Sequence, residues 1–158
     1  MELEGTRTAA GCRFGVVVSR FNQEITEGLL AGARQALADA GVPEAHITIV
    51  RVPGSFEIPV TALRLARTGT FDAVVCLGCV IKGETMHFEY IAGAACQGIA
   101  DAAAATGVPM ALGVLTTLTE AQARERAAAG PDNKGREAAL AAVEMATLFR
   151  QLREQAAR

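Results

Sequence analysis

The sequence predicts an α/β fold in which a four-stranded parallel sheet carries helices on both faces. Three observations support this. Short runs rich in β-branched residues alternate with longer segments of helical periodicity. Glycine and proline separate them, at Gly41-Val42-Pro43, Pro53-Gly54, Thr68-Gly69 and Gly107-Val108-Pro109. The connections are short, so strands alternating with helices call for parallel pairing and right-handed crossovers.

Phe14 to Val18 reads as the first buried strand, and Asn22 after it as the cap of a helix. That helix places Ile25, Leu29, Ala33, Ala36, Leu37 and Ala40 on one face, with Glu27, Arg34, Gln35 and Asp39 elsewhere, and stops at Gly41. Ile47 to Val52 is the second strand. Ser55 is the expected cap of the following helix, which holds Pro59 in its first turn and ends near Arg67. The third strand runs from Asp72 to Leu77, a Gly-bearing loop follows, and the next helix spans Phe88 to Thr106. Met110 to Leu115 is the fourth strand. Thr119-Glu120-Ala121-Gln122 is a capping box, Gly130-Pro131-Asp132-Asn133 a break, and a final helix aligns Ala141, Met145, Leu148, Phe149 and Leu152.

The chain reads as one domain, 1–158, with residues 1–13 as an N-terminal extension. Hydrophobic residues make up 51% and charged residues 20%, the balance of a soluble globular domain. A net charge of −2 gives no reason to expect nucleic acid or an anionic membrane as partner. Met1-Glu2-Leu3-Glu4 lacks the apolar stretch of a signal peptide, and a cytoplasmic location is expected. Cys76-Leu77-Gly78-Cys79 matches C-x-x-C. However, Cys76 sits within a strand pattern and no second cysteine pair completes a zinc site, so buried thiols are expected and no metal.

In open parallel sheets, ligands bind beyond the carboxyl ends of the strands. The loops there hold Phe21, then Ser55 to Glu57, then Cys79 to His87. Gly78-x-x-x-x-Gly83-Glu84-Thr85 is one residue short of a P-loop, and Glu84 in place of lysine would repel a nucleotide's terminal phosphates. A single phosphate held by backbone N–H groups and the Thr85 hydroxyl fits the spacing; so does a plain turn with a helix cap. His87 is either a proton shuttle or a surface imidazole, while His46 lies at the opposite edge. Taken alone, Arg126 and Lys134 are charged surface, Phe21 is a core aromatic and Glu57 a first-turn carboxylate. The helix from Phe88 to Thr106 has few polar residues beyond Tyr90, chiefly Gln97 and Asp101. Its small residues point to an oligomer interface.

Taken in order, Arg20-Phe21-Asn22, Val52-Pro53-Gly54-Ser55-Phe56-Glu57-Ile58-Pro59, Gly83-Glu84-Thr85-Met86-His87-Phe88 and Asn133-Lys134-Gly135 resemble the 6,7-dimethyl-8-ribityllumazine synthase family. The resemblance covers about Phe14 to Leu152. It implies a three-layer flavodoxin-like fold with strand order 2-1-3-4. The activity implied is a cofactor-free condensation of 5-amino-6-(D-ribitylamino)uracil with 3,4-dihydroxy-2-butanone 4-phosphate, releasing phosphate and water. It is the penultimate step of riboflavin biosynthesis. The implied roles put Phe21 on the pyrimidine ring and Ser55, Phe56 and Glu57 on the ribityl chain. Cys79, Val80 and Ile81 meet the pyrimidinedione, Glu84 and Thr85 the butanone phosphate, and His87 moves protons. Arg126 pairs with the phosphate, Lys134 supports it, and Leu112 closes the pocket; Arg126 and Leu112 come from a neighbouring subunit. The family often has tryptophan at the position of Phe56 and phenylalanine at that of Leu112. Homopentamers are implied, alone, paired, or closed as twelve into an icosahedral shell. The N-terminal extension is implied to pack on a neighbour, and riboflavin synthase is the implied partner enzyme. The competing expectation is a flavin- or lumazine-binding protein of the same fold without catalysis.

Overall fold

The computed structural model describes all 158 residues. Its strands are β1 (Phe14–Ser19), β2 (Ile47–Val52), β3 (Ala73–Ile81) and β4 (Met110–Thr117), all parallel and in the order β2-β1-β3-β4. The helices are α1 (Gln23–Asp39), α2 (Ile58–Arg67), α3 (His87–Thr106), α4 (Glu120–Ala127) and α5 (Lys134–Ala156). Class and strand order match the expectation. Parallel neighbours can be joined only by a chain that returns across a face of the sheet, and α1, α2 and α3 are those returns.

Alternation along the strands divides the core in two. Val16, Val18, Val75 and Leu77 face α1, α4 and α5 within a cluster of 26 buried residues. Val17, Val74, Cys76 and Val114 face α2 and α3 within a cluster of eight. A strand covered on both faces has no use for polar residues, hence the Val-rich β1.

Glycine permits the close approach of α1 and α5. A Cβ at Gly135 would stand 1.9 Å from the Leu29 carbonyl oxygen, and one at Gly32 2.1 Å from Asn133 Oδ1. The space left free is used by buried Asn133. Its Oδ1 accepts from the Arg136 N–H (3.0 Å), and its Nδ2 donates to the carbonyls of Gly28 (3.1 Å), Ala127 (2.9 Å) and Ala128 (3.1 Å). One side chain thus caps α5 and closes the break after α4.

The capping box at Thr119 and Gln122 is formed. Other local expectations are corrected. β3 continues past Leu77 to Ile81, because Gly78 to Ile81 pair with Val114 to Thr117 of β4. Asn22 makes no side-chain cap; it is the only non-glycine residue with positive φ (58°), and its Nδ2 donates instead to the Cys79 carbonyl (3.0 Å). Ser55 opens a 3₁₀ turn, Ser55–Glu57, and α2 begins only at Ile58. In the single chain, only Ala95, Ile99 and Ala102 of α3 are buried, and its opposite face is open. Residues 4–12 pack on the chain's own α5. The Thr6 N–H donates to Thr147 Oγ1 (2.8 Å) and Gln151 Nε2 to the Glu4 carbonyl (2.8 Å), while Ala9 and Cys12 enter the larger core. No helix is long and apolar enough to cross a membrane.

Candidate active site

The chain leaves its sheet at β1 and β3 over a cavity of about 540 Å³. This is where the strand order reverses, since β2 lies to one side of β1 and β3 and β4 to the other.

Three segments build the cavity. The first follows β1. The Arg20 N–H donates to the Val52 carbonyl (2.8 Å), the Phe21 N–H to the Pro53 carbonyl (3.0 Å), and Asn22 bonds to Cys79. The turn is therefore tied to both neighbouring strands, and the Phe21 ring projects from it 71% exposed. The second segment is the 3₁₀ turn. Glu57 Oε2 accepts the Gly54 N–H (2.9 Å), which fixes the carboxylate and leaves Oε1 available to a ligand. Ser55 lines the cavity nearly buried, and Phe56 stands 59% exposed. The third segment runs from the end of β3 into α3. The side chain of Cys79 points into the larger core, so the cavity meets its backbone. Val80, Ile81, Gly83 and Thr85 follow, and His87, the first residue of α3, is exposed. Thr85 Oγ1 accepts the His87 N–H at 3.4 Å, a weak bond at a helix start whose remaining amides are open to an anion.

Leu112, Arg126 and Lys134 are elsewhere. They line a separate groove of about 360 Å³ beside β4, roofed by α4 and α5, that shares no residue with the cavity. Because β4 is an edge strand, the outer row of its backbone groups has no strand partner. Leu112 is 53% exposed. Arg126 has no carboxylate partner; its Nη1 donates to the Gln122 carbonyl (3.1 Å). Lys134 Nζ is 2.7 Å from Glu137 Oε2, so its charge is already answered. Glu84 lines neither space.

Sequence reasoning missed several lining residues. Phe88 and Ile91 extend the cavity wall along the first turns of α3, and their three-residue separation on an expected helix was the available signal. Thr116 and Glu137 belong to the groove, and Glu137 follows Lys134 at ion-pair spacing. Asn22 touches no cavity but holds two of its segments together.

The C-x-x-C pair does not act as a dithiol. Cys76 and Cys79 face opposite sides of β3, and three strand steps put their Cα atoms about 10 Å apart, beyond disulfide reach. Burial pushes the Cys76 thiol up to about 12 and the Cys79 thiol up to about 11, the reverse of what a reactive thiolate needs.

A parallel 2-1-3-4 sheet with a cavity at the β1/β3 switch point is that of a flavodoxin-like protein, whose sheets take ligands at that edge. Comparison with known proteins narrows the class. The profile of the family described as 6,7-dimethyl-8-ribityllumazine synthase matches residues 11–150. The 6,7-dimethyl-8-ribityllumazine synthase of Desulfatibacillum aliphaticivorans is 45% identical over 151 residues, 96% of this chain and 97% of that one. The protein of the same name from Salinibacter ruber is 51% identical over 150 residues, 95% and 96% of the respective chains. The chain belongs to the lumazine synthase family.

Proposed function

We propose that the protein condenses 5-amino-6-(D-ribitylamino)uracil with 3,4-dihydroxy-2-butanone 4-phosphate to 6,7-dimethyl-8-ribityllumazine, releasing phosphate and water. The observation that carries this reading, beyond family membership, is the cavity itself. It sets two exposed aromatic rings, a fixed carboxylate, a hydroxyl-bearing helix start and an imidazole around one space sized for small ligands. Phe21 stacks on the pyrimidine; Ser55, Phe56 and Glu57 receive the ribityl chain, with Glu57 Oε1 as acceptor. The backbone of Cys79 to Ile81 edges the pyrimidinedione, and the Thr85 hydroxyl together with the backbone at Glu84, rather than its carboxylate, contacts the butanone phosphate.

Imine formation, phosphate elimination and ring closure each move protons, and His87, which lines the cavity, carries them in this proposal. Holding two substrates side by side removes much of the entropic barrier to their condensation. The phosphate lies between the open amides of the α3 start and a cation. Of the two cations in the groove, Lys134 is paired with Glu137 and Arg126 with no carboxylate, so Arg126 is assigned to the phosphate, although in the single chain it sits away from the cavity. The site is therefore composite: a neighbouring copy brings Leu112, Arg126 and Lys134 against the cavity. A ring of five copies, with the open small-residue face of α3 turned inward, satisfies this arrangement. Pairing of rings, closure of twelve into a shell, a cytoplasmic location and association with riboflavin synthase extend the same proposal.

The test is to mix the purified protein with both substrates and follow the lumazine chromophore. Acceleration over the spontaneous reaction is expected, and its absence would sink the proposal. A non-catalytic binder would hold lumazine tightly without turnover; the relatives, named as synthases, do not favour it.

A further inference from the structure

Ser19 ends β1 with a side chain 1% exposed, and its Oγ is the one buried side-chain oxygen or nitrogen in the chain without a hydrogen-bond partner. An unpaired buried hydroxyl is costly, so it calls for an explanation. Its surroundings supply one. Ser19 shares the sheet face of Val17, and Gly78 shares that of Cys76; both face the side of the cavity. A Cβ at Gly78 would lie 2.6 Å from Ser55 Oγ and 3.2 Å from Ser19 Oγ. The absent side chain at residue 78 thus leaves room for two hydroxyls that converge on one point, and Ser55 lines the cavity.

We propose that Ser19 is a positioning residue whose hydroxyl becomes paired only when a polyol is bound. Ser19 Oγ–H donates to Ser55 Oγ, while Ser55 Oγ–H turns outward and donates to a hydroxyl oxygen of the ligand. Ser19 Oγ makes no hydrogen bond in the free protein, so its proton is free for Ser55, and in that arrangement the wall offers the ligand a donor. Glu57 Oε2 is held by the Gly54 N–H, and Glu57 Oε1 offers an acceptor on the same turn. A chain of hydroxyls, each both donor and acceptor, matches that alternation. This rests on the reading that the ribityl chain lies along Ser55 to Glu57.

Ser19→Ala separates this role from a structural one, because the two move stability and binding in opposite senses. Removing a hydroxyl that is unpaired in the free protein raises Tm, by about 2–4 °C. It weakens binding of 6,7-dimethyl-8-ribityllumazine, read by fluorescence titration, about five- to tenfold. Affinity for 6,7-dimethyllumazine, which lacks the ribityl chain, is unchanged. Ser55→Ala weakens ribityllumazine binding similarly, and Ser19→Ala added to it has no further effect. A fall in Tm with unchanged ribityllumazine affinity would overturn the proposal, as would independent, multiplying effects of the two substitutions. Equal loss for both ligands, or no binding of ribityllumazine by the unmodified protein, would do the same. Titration reads the pair without turnover, so an inactive protein that still discriminates the ribityl chain would overturn only the proposed condensation.

Discussion

If the active site is shared between copies, two inactive chains should repair one another. His87 lines the cavity and Arg126 the groove, and the two spaces have no residue in common. His87→Ala removes the proton carrier, worth about 10²–10⁴-fold in rate. Arg126→Ala removes a guanidinium with no competing carboxylate, so the loss is that of a charge-assisted pair, about 10–100-fold in kcat/KM. In an equimolar mixture unfolded and refolded together, a site needs an intact His87 from one copy and an intact Arg126 from its neighbour. Each requirement is met half the time, so about a quarter of sites are whole. The mixture should therefore recover about a quarter of the unmodified activity per site, above either parent by at least about twofold. The double variant mixed with unmodified chains gives a second figure, because a shared site again leaves about a quarter of sites whole whereas a site within one chain leaves about half. Activity equal to the mean of the parents in the first mixture, together with a half in the second, would refute the composite site. Lumazine absorbance reads both.

Other expectations follow from single contacts. Asn133→Ala removes a helix cap and the donor to three carbonyls, and should cost about 3–4 kcal/mol in urea unfolding; a loss under 1 kcal/mol would contradict the anchoring role. Asn22→Gly keeps the left-handed backbone and loses only the bond to the Cys79 carbonyl, whereas Asn22→Ala adds the strain of positive φ. The alanine variant should be the less stable by about 1–2 kcal/mol, and equal stability would remove the strain argument. Cys76 and Cys79 should resist a thiol reagent at pH 8 in the native protein and react after unfolding. Their folded pKa values stand above the ordinary thiol value of 9.0, so the folded state keeps its protons when the unfolded state loses them. Their contribution to stability is then full below pH 9.0 and declines as pH rises toward about 11 and 12, which urea titration between pH 8 and 10.5 would detect.

What the sequence made legible is what local physics determines. Val-rich runs, helical periodicity and glycine stops placed every strand and helix. At Gly41, Gly69 and Gly107 the stops are indeed left-handed, with φ of 80°, 71° and 69°. The convergence of Phe21, Ser55 to Glu57 and His87 was legible for a different reason: parallel strands deliver their following loops to one edge. The end of β3 was not legible, because Gly78 and Cys79 carry no strand signal of their own and their extended state depends on β4 alongside. Two asparagines make the same point. Both precede helices, and Asn22 alone was expected to cap, yet it is Asn133, read only as part of a break, that accepts from its helix. Asn22 faces the Cys79 carbonyl, a partner 57 residues away, and that long-range bond competes with the local one.

On the proposal of a shared site, the open surfaces of the single chain would tie assembly to chemistry. Phe21, Phe56 and Met86 are exposed around the cavity, Leu112 lies on β4 near its start and Leu118 just beyond its end, and Tyr90 begins the uncovered face of α3. Isolated apolar residues on a surface need no explanation, but these lie around two half-sites and along one helix. Covering an aromatic ring removes about 150–250 Å² from water, so joining the half-sites favours association at the same step that closes the cavity. The unpaired edge of β4 gains by the same closure, since a neighbour laid along it hides a strand that would otherwise invite indiscriminate pairing. A fold that kept Arg126 beside His87 in one chain would need neither event. If the site is shared as proposed, placing Arg126 on the far edge of the sheet leaves the phosphate-binding site complete only in the assembled protein, and catalysis would then report on assembly.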